Sequence, residues 1–180
     1  LIEDINAKGG VLNGKKLALA AFDNKGSPQE SLVALRLVVD QGIRVILQGS
    51  GSHNANALSE AVTKHNARNP KRSVLYLNFG AVDTALTNEK CSFWHFRFDS
   101  NVDMKLAAMT TYMASQKNIR SVYLINQDYA YGQTVSRVGK EMLARKRPDV
   151  AVAGDELHPI GKIKDFAPYV AKIKASGADT

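Results

Sequence analysis

The chain has 180 residues, 44% of them hydrophobic and 23% charged, which is the make-up of a folded globular protein and excludes a disordered one. Its longest clean apolar run, residues 17–22, is far short of the roughly 20 residues a membrane-spanning helix needs. The formal charge is +7, but Lys and Arg are scattered and the densest run is only Arg145-Lys146-Arg147, so the basic balance reads as solvated surface with no nucleic-acid partner.

The chain opens inside a helix over residues 1–8, stopped by Gly9-Gly10. After the turn Asn13-Gly14, residues 17–22 read as an apolar strand. Ser27 is the N-cap of a second helix, with Pro28 at its first position and Glu30 closing a capping box. Residues 44–47 form the next strand, and the small polar loop 48–53 leads into a helix over 54–68. A strand at 74–77, a long loop at 79–90 and an aromatic strand at 93–98 follow. Then come a helix (102–116), a strand (121–125), a loop (126–131), a helix (132–147) ending before Pro148, and a strand (150–153). A last helix over 165–176 has Pro168 in its first turn and Gly177 as its stop. The final residues read as the approach to a further strand. With no Met and no signal-peptide core at the start, the chain reads as a piece of a longer protein.

Alternating strands and helices at this spacing predict a mainly parallel sheet covered on both faces, an α/β architecture. Ligands then bind beyond the carboxyl ends of the strands, which singles out loops 48–54, 78–87 and 126–132. In the first, Gly49-Ser50-Gly51-Ser52 precedes a helix whose free N–H groups suit an anion such as a carboxylate, with the Ser50 and Ser52 hydroxyls as further donors. His53 lies in the same loop and is a candidate donor to an anion. In the third, Tyr129 and Tyr131 offer rings to cover an apolar ligand group and hydroxyls to hold it, and Gly132 frees the turn into the helix. The first loop lacks the Gly-Lys-Ser/Thr of a nucleotide loop, and no nucleophile elbow Gly-x-Ser-x-Gly is present. Catalysis by Ser50 or Ser52 is therefore not expected, and neither is any cofactor. The four histidines fall in no metal-ligand frame, so no metal is expected. Cys91, the single cysteine, with His95 four residues on, reads as a buried or half-buried spectator.

Several short stretches together resemble one family. They are Ile5-Asn6-Ala7-Lys8-Gly9-Gly10-Val11-Leu12-Asn13-Gly14-Lys15-Lys16, Phe22-Asp23-Asn24-Lys25-Gly26-Ser27-Pro28, Ala85-Leu86-Thr87 with Phe96-Arg97, Tyr129-Ala130-Tyr131-Gly132-Gln133, and Lys164-Asp165-Phe166-Ala167-Pro168 with Lys172-Ile173-Lys174-Ala175-Ser176-Gly177. In this order and spacing the chain resembles the periplasmic substrate-binding proteins of branched-chain amino-acid-type ABC transporters, of the type I periplasmic-binding fold. The resemblance implies a two-lobe α/β architecture, parallel sheets flanked by helices, with ligand held between the lobes. Lobe 1 would span 1–98 without its first strand, and 99–180 would begin an incomplete lobe 2. It implies that Ser52 holds a ligand carboxylate, that the Gly80 carbonyl takes a ligand ammonium, with Ala81 in the same ligand loop, and that Tyr131 closes from lobe 2. Val82 stands where amino-acid binders commonly have Thr or Ser, a departure that makes the cleft more apolar, weakens the case for a free ammonium and leaves open both a branched-chain-like amino acid and an aromatic or aliphatic acid without one. The implied protein is not an enzyme. It sits in the periplasm and passes a small carboxylate, an amino acid or an aromatic or aliphatic acid, to a membrane permease. Its membrane contacts go through that partner only. The alternative is a ligand-sensing domain of a receptor or regulator with the same fold.

Overall fold

Three short parallel strands build the first sheet in the computed structural model, which describes residues 1–180. They are β1 (Val45–Leu47), β2 (Leu75–Asn78) and β3 (His95–Arg97), ordered β1-β2-β3, with Leu47 beside Leu77 and Leu77 beside Phe96. The helices α1 (Ile2–Ala7), α2 (Pro28–Asp40) and α3 (Ser52–Arg68) precede or separate these strands. Beyond β3 come α4 (Val102–Ser115), β4 (Ser121–Gln127), α5 (Ala130–Lys146), β5 (Ala151–His158) and α6 (Ala167–Ser176). The strands β4 and β5 form a second parallel sheet, with an irregularity at Val122/Tyr123. After α6 the chain returns to the free edge of β4, where the Tyr123 N–H donates to the Thr180 carbonyl at 2.8 Å. The predicted approach to a strand is thus present.

Local signals explain the helix ends. Ser27 accepts the Glu30 N–H and Pro28 takes the first position of α2, as predicted. The reciprocal half of the capping box is not made, because the Ser27 N–H goes to the Asn24 carbonyl and the Glu30 carboxylate pairs with Lys25. Asn101 caps α4 through the Met104 N–H at 2.9 Å. Gly177 ends α6 at φ +66°, a conformation glycine adopts without a side-chain clash.

Three apolar clusters hold these layers. Leu35, Ala55, Leu58, Val62, Val74, Tyr76, Ala81 and Leu86 pack α2 and α3 onto one face of the first sheet. Val82, Val102, Leu106, Val138 and Met142 join the loop after β2 to α4 and α5. Met113, Ile119, Val122, Leu143 and Val150 pack α4 and α5 onto the second sheet.

Two expectations are corrected. Residues 17–22 form no strand: apart from the contacts of Leu17 with the Asn6 side chain, nothing hydrogen-bonds their backbone, and an extended segment becomes a strand only through a ladder. The first sheet is also not covered on both faces. Helices lie on one side only, while Val45, Leu47 and Phe96 remain about half exposed on the other.

Candidate functional site

Loops at the carboxyl ends of β1, β2 and β4 meet in one place. The β1 loop carries Gly49, where a Cβ would fall 2.6 Å from the Gly80 nitrogen and 2.8 Å from the Phe79 ring. Only a glycine lets the two backbones approach so closely. Gly51, at φ +75°, then starts α3 with no side-chain cap. The N–H groups of Ser52, His53 and Asn54 are left without acceptors at the positive end of a 17-residue helix. Ser52 is 2% exposed, and its Oγ accepts the Asp83 N–H at 3.2 Å. Its own hydroxyl hydrogen is engaged by nothing and is free to donate. Ser50 is exposed, and the Gln48 amide donates to its carbonyl at 2.6 Å and lies 3.3 Å from its hydroxyl.

The β2 loop is templated by the fully buried Asn78. Its Oδ1 accepts the N–H groups of Gly80 at 3.1 Å and Ala81 at 2.8 Å, and its amide donates to the Ala81 carbonyl at 2.7 Å. The Val82 carbonyl is taken by the Val102 N–H. Among the three carbonyls of residues 80–82, only that of Gly80 accepts no hydrogen bond. The Ala81 and Val82 side chains both turn into apolar clusters, so Val82 acts here as core packing against α4 and α5.

The β4 loop brings the aromatic residues. α5 begins at Ala130, so Tyr131 lies on the helix and not in the predicted loop. Gly132 is buried within the first turn, where a Cβ would strike the Gln127 main chain; its role is close packing and not turn freedom. Tyr131 packs on the Val82 cluster, with its ring 5.9 Å from that of Tyr129. Burial, with Tyr131 nearby, pushes the Tyr129 phenol up from its usual value. Tyr129 meets the edge of His53 at 5.2 Å, which links α5 to α3. His53 Nε2 donates to the Gly26 carbonyl at 3.1 Å, leaving Nδ1 as a buried acceptor with no partner.

Ser52, His53, Gly80, Tyr129 and Tyr131 are thus gathered around one locus. Ser50 stands at its exposed edge, and Ala81 and Val82 lie behind it. A groove of about 840 Å³ runs beside this locus between the loop after β2 and α5. Its lining includes Asp83, Thr84, Arg137, Glu141 and Arg145 and none of the eight predicted residues.

Sequence reasoning missed Asp83, Arg97 and Thr134. The Thr134 hydroxyl donates to Asp83 Oδ1 at 3.0 Å, and Arg97 donates to the Asp83 carbonyl at 3.1 Å. Burial lowers the Arg97 pKa, against the opposing pull of Asp99, Asp83 and Asp103. These partners lie 14 and 51 residues from Asp83, so no local pattern announces them. Cys91 is exposed, contrary to expectation, because it sits in the turn ahead of β3. His95 is instead buried against Tyr76, ring to ring at 4.8 Å. No helix is long and apolar enough to cross a membrane.

Known proteins match the chain along its whole length. A family model described as "Periplasmic binding protein" matches residues 1–180. "Leu/Ile/Val-binding protein homolog 4" of Brucella abortus (strain 2308) is 37% identical over 98% of this chain and 42% of its own. A crystal structure of a leucine-, isoleucine-, valine-, threonine- and alanine-binding protein from Brucella ovis, in a closed conformation, superimposes with a TM-score of 0.81 at 37% identity, over 99% of this chain and 45% of that one. A solute-binding protein of an ABC transporter from Rhodopseudomonas palustris BisB5, solved with 3,4-dihydroxybenzoic acid, has a TM-score of 0.80 at 21% identity, over 97% and 45%, and shares the fold. The chain spans less than half the length of these relatives. Matched from first residue to last, it belongs to the periplasmic binding protein family, beside the Leu/Ile/Val-binding proteins.

Proposed function

We propose that this chain forms one side of the ligand cleft of an extracytoplasmic solute-binding protein, which captures a small carboxylate between two lobes and delivers it to an ABC permease. Residues 1–98 belong to one lobe and residues 99–180 to the other. The observation that carries this reading is the uncapped N-terminus of α3, with the free Ser52 hydroxyl, in contact through His53 with the Tyr129–Tyr131 start of α5. Three free amides and a hydroxyl suit a carboxylate. The unengaged Gly80 carbonyl suits an ammonium, and the tyrosine rings suit an apolar side chain. A branched-chain-like amino acid satisfies all three features, and the Brucella relatives bear names of that kind. An acid without an amino group leaves the Gly80 carbonyl unpaired and ranks second.

The test is a thermal-shift screen of the full-length protein against leucine, isoleucine, valine, other amino acids, hydroxybenzoates and short aliphatic acids. A ligand at 100 times its Kd adds about 2.7 kcal/mol of stability, a readily visible shift. Stabilisation by leucine-type ligands that is weakened by Ser52→Ala is the expected result. A panel in which no carboxylate stabilises the protein refutes the reading.

A further inference from the structure

We propose that Asp83 is a positioning residue that couples the Ser52 anion site to the apposition of the two sheets. This rests on the cleft reading above. Asp83 is 3% exposed and is hydrogen-bonded through its N–H, its carboxylate and its carbonyl. Its N–H donates to Ser52 Oγ at 3.2 Å. Its Oδ1 accepts the Thr134 hydroxyl of α5 at 3.0 Å and the Ala85 N–H at 3.3 Å. Its carbonyl accepts Arg97 Nη1 at 3.1 Å at the end of β3. Arg97 Nε in turn donates to the Asp99 carbonyl at 3.1 Å, on the segment that leaves the first sheet for α4. One residue therefore touches the site serine, the helix that carries the tyrosines, and the strand that connects the two sheets.

Each bond has a separate consequence. The N–H to Ser52 holds the hydroxyl oxygen in place through one lone pair and leaves its hydrogen free to donate to an anion. The Thr134 hydroxyl donates to this carboxylate, and the pair exists only while α5 lies against the loop after β2. A contact made in one arrangement and lost in the other biases the population toward the first. Asp83 thereby links two events, the orientation of Ser52 and the docking of α5, that a ligand in the cleft needs at the same time. Arg97 supports the link by fixing the Asp83 carbonyl to the connecting strand.

The test uses three variants of the full-length protein. Thr134→Val keeps the shape and removes the hydroxyl, Thr134→Ser keeps the hydroxyl, and Asp83→Asn keeps both the main-chain N–H and an acceptor. L-leucine is the probe, followed by stopped-flow fluorescence. Loss of one hydrogen bond to a charged group should raise the dissociation rate of Thr134→Val about tenfold. Association should stay within about twofold of the parent, since contacts of this kind act mainly on dissociation. Thr134→Ser should restore the parental rate, and Asp83→Asn should fall between the two. Hydrogen exchange of the ligand-free protein gives a second readout: the amides of residues 82–85 should exchange about tenfold faster in Thr134→Val. Parental dissociation in Thr134→Val, or no rescue by serine, overturns the proposal. Should leucine fail to bind the parent, the failure falls on the functional reading. The exchange measurement then decides this proposal alone, and unchanged exchange overturns it.

Discussion

Two glycines of α5 test the close packing of this helix in opposite directions. Replacing a glycine by alanine inside a helix ordinarily stabilises it by about 1 kcal/mol, because alanine loses less backbone entropy. At Gly139 nothing opposes that gain, since the nearest atom to an added Cβ is the end of Leu106, 4.0 Å away. Gly139→Ala should therefore stabilise the protein by about 1 kcal/mol. At Gly132 the added Cβ falls on the main chain of Gln127, 2.9 Å from its carbonyl carbon, 3.1 Å from its nitrogen and closer still to its oxygen. Backbone cannot rotate away as a side chain can, so the start of α5 must lift off the end of β4. Overpacking of this kind costs about 1–3 kcal/mol or more, which exceeds the propensity gain. Gly132→Ala should lose about 2 kcal/mol net and weaken ligand binding, since Tyr131 and Thr134 move with the helix. Urea unfolding of the two variants beside the parent is the assay. A Gly132→Ala protein as stable as the parent, or changes of one sign at both positions, would refute the close approach.

Other positions give sharp expectations. Arg147, 8% exposed, donates to the carbonyls of Met113 at 2.6 Å, Gln116 at 3.0 Å and Ile119 at 2.7 Å, which closes the end of α4. Arg147→Met keeps the apolar stem but removes all three donors; the Met113 and Gln116 carbonyls keep the N–H groups of Gln116 and Ile119, while the Ile119 carbonyl is left unpaired, and the change should cost about 3 kcal/mol in urea unfolding. Partial burial raises the Asp155 carboxyl, but Lys140 and Ser136 on α5 outweigh it and hold the group below its usual range. With a folded value below the unfolded one of about 3.9, its contribution is present above that pH and is lost as pH falls through the folded value. Asp155→Asn should therefore lower the urea midpoint at pH 7, with a gap from the parent that narrows toward pH 3.

The parts legible in the sequence are those fixed by neighbours in the chain. Ser27 and Pro28 announce α2, Gly177 ends α6, and the β1 loop shows its glycines openly. What failed depends on distant partners. Residues 17–22 look like a strand but meet no ladder. β5 runs on through Gly154, Asp155 and Glu156, against its local pattern, because β4 pairs with it as far as His158. Tyr129 and Tyr131 were visible as aromatic residues in a promising place, whereas their approach to His53 needed the fold. Asp83 was invisible for the same reason, since its partners at positions 52, 97 and 134 meet only in three dimensions.

The backbone-to-backbone meeting of Gly49 and Gly80 bears on how such a site diverges. On the cleft reading, its floor offers amides and a carbonyl that every amino acid possesses, so substitution there removes the floor without retuning it. Heritable change in ligand preference then has to enter through the rim. A laboratory selection of randomised copies for a new acid should collect its winners at positions 53, 129 and 131, and return glycine at 49 in every survivor.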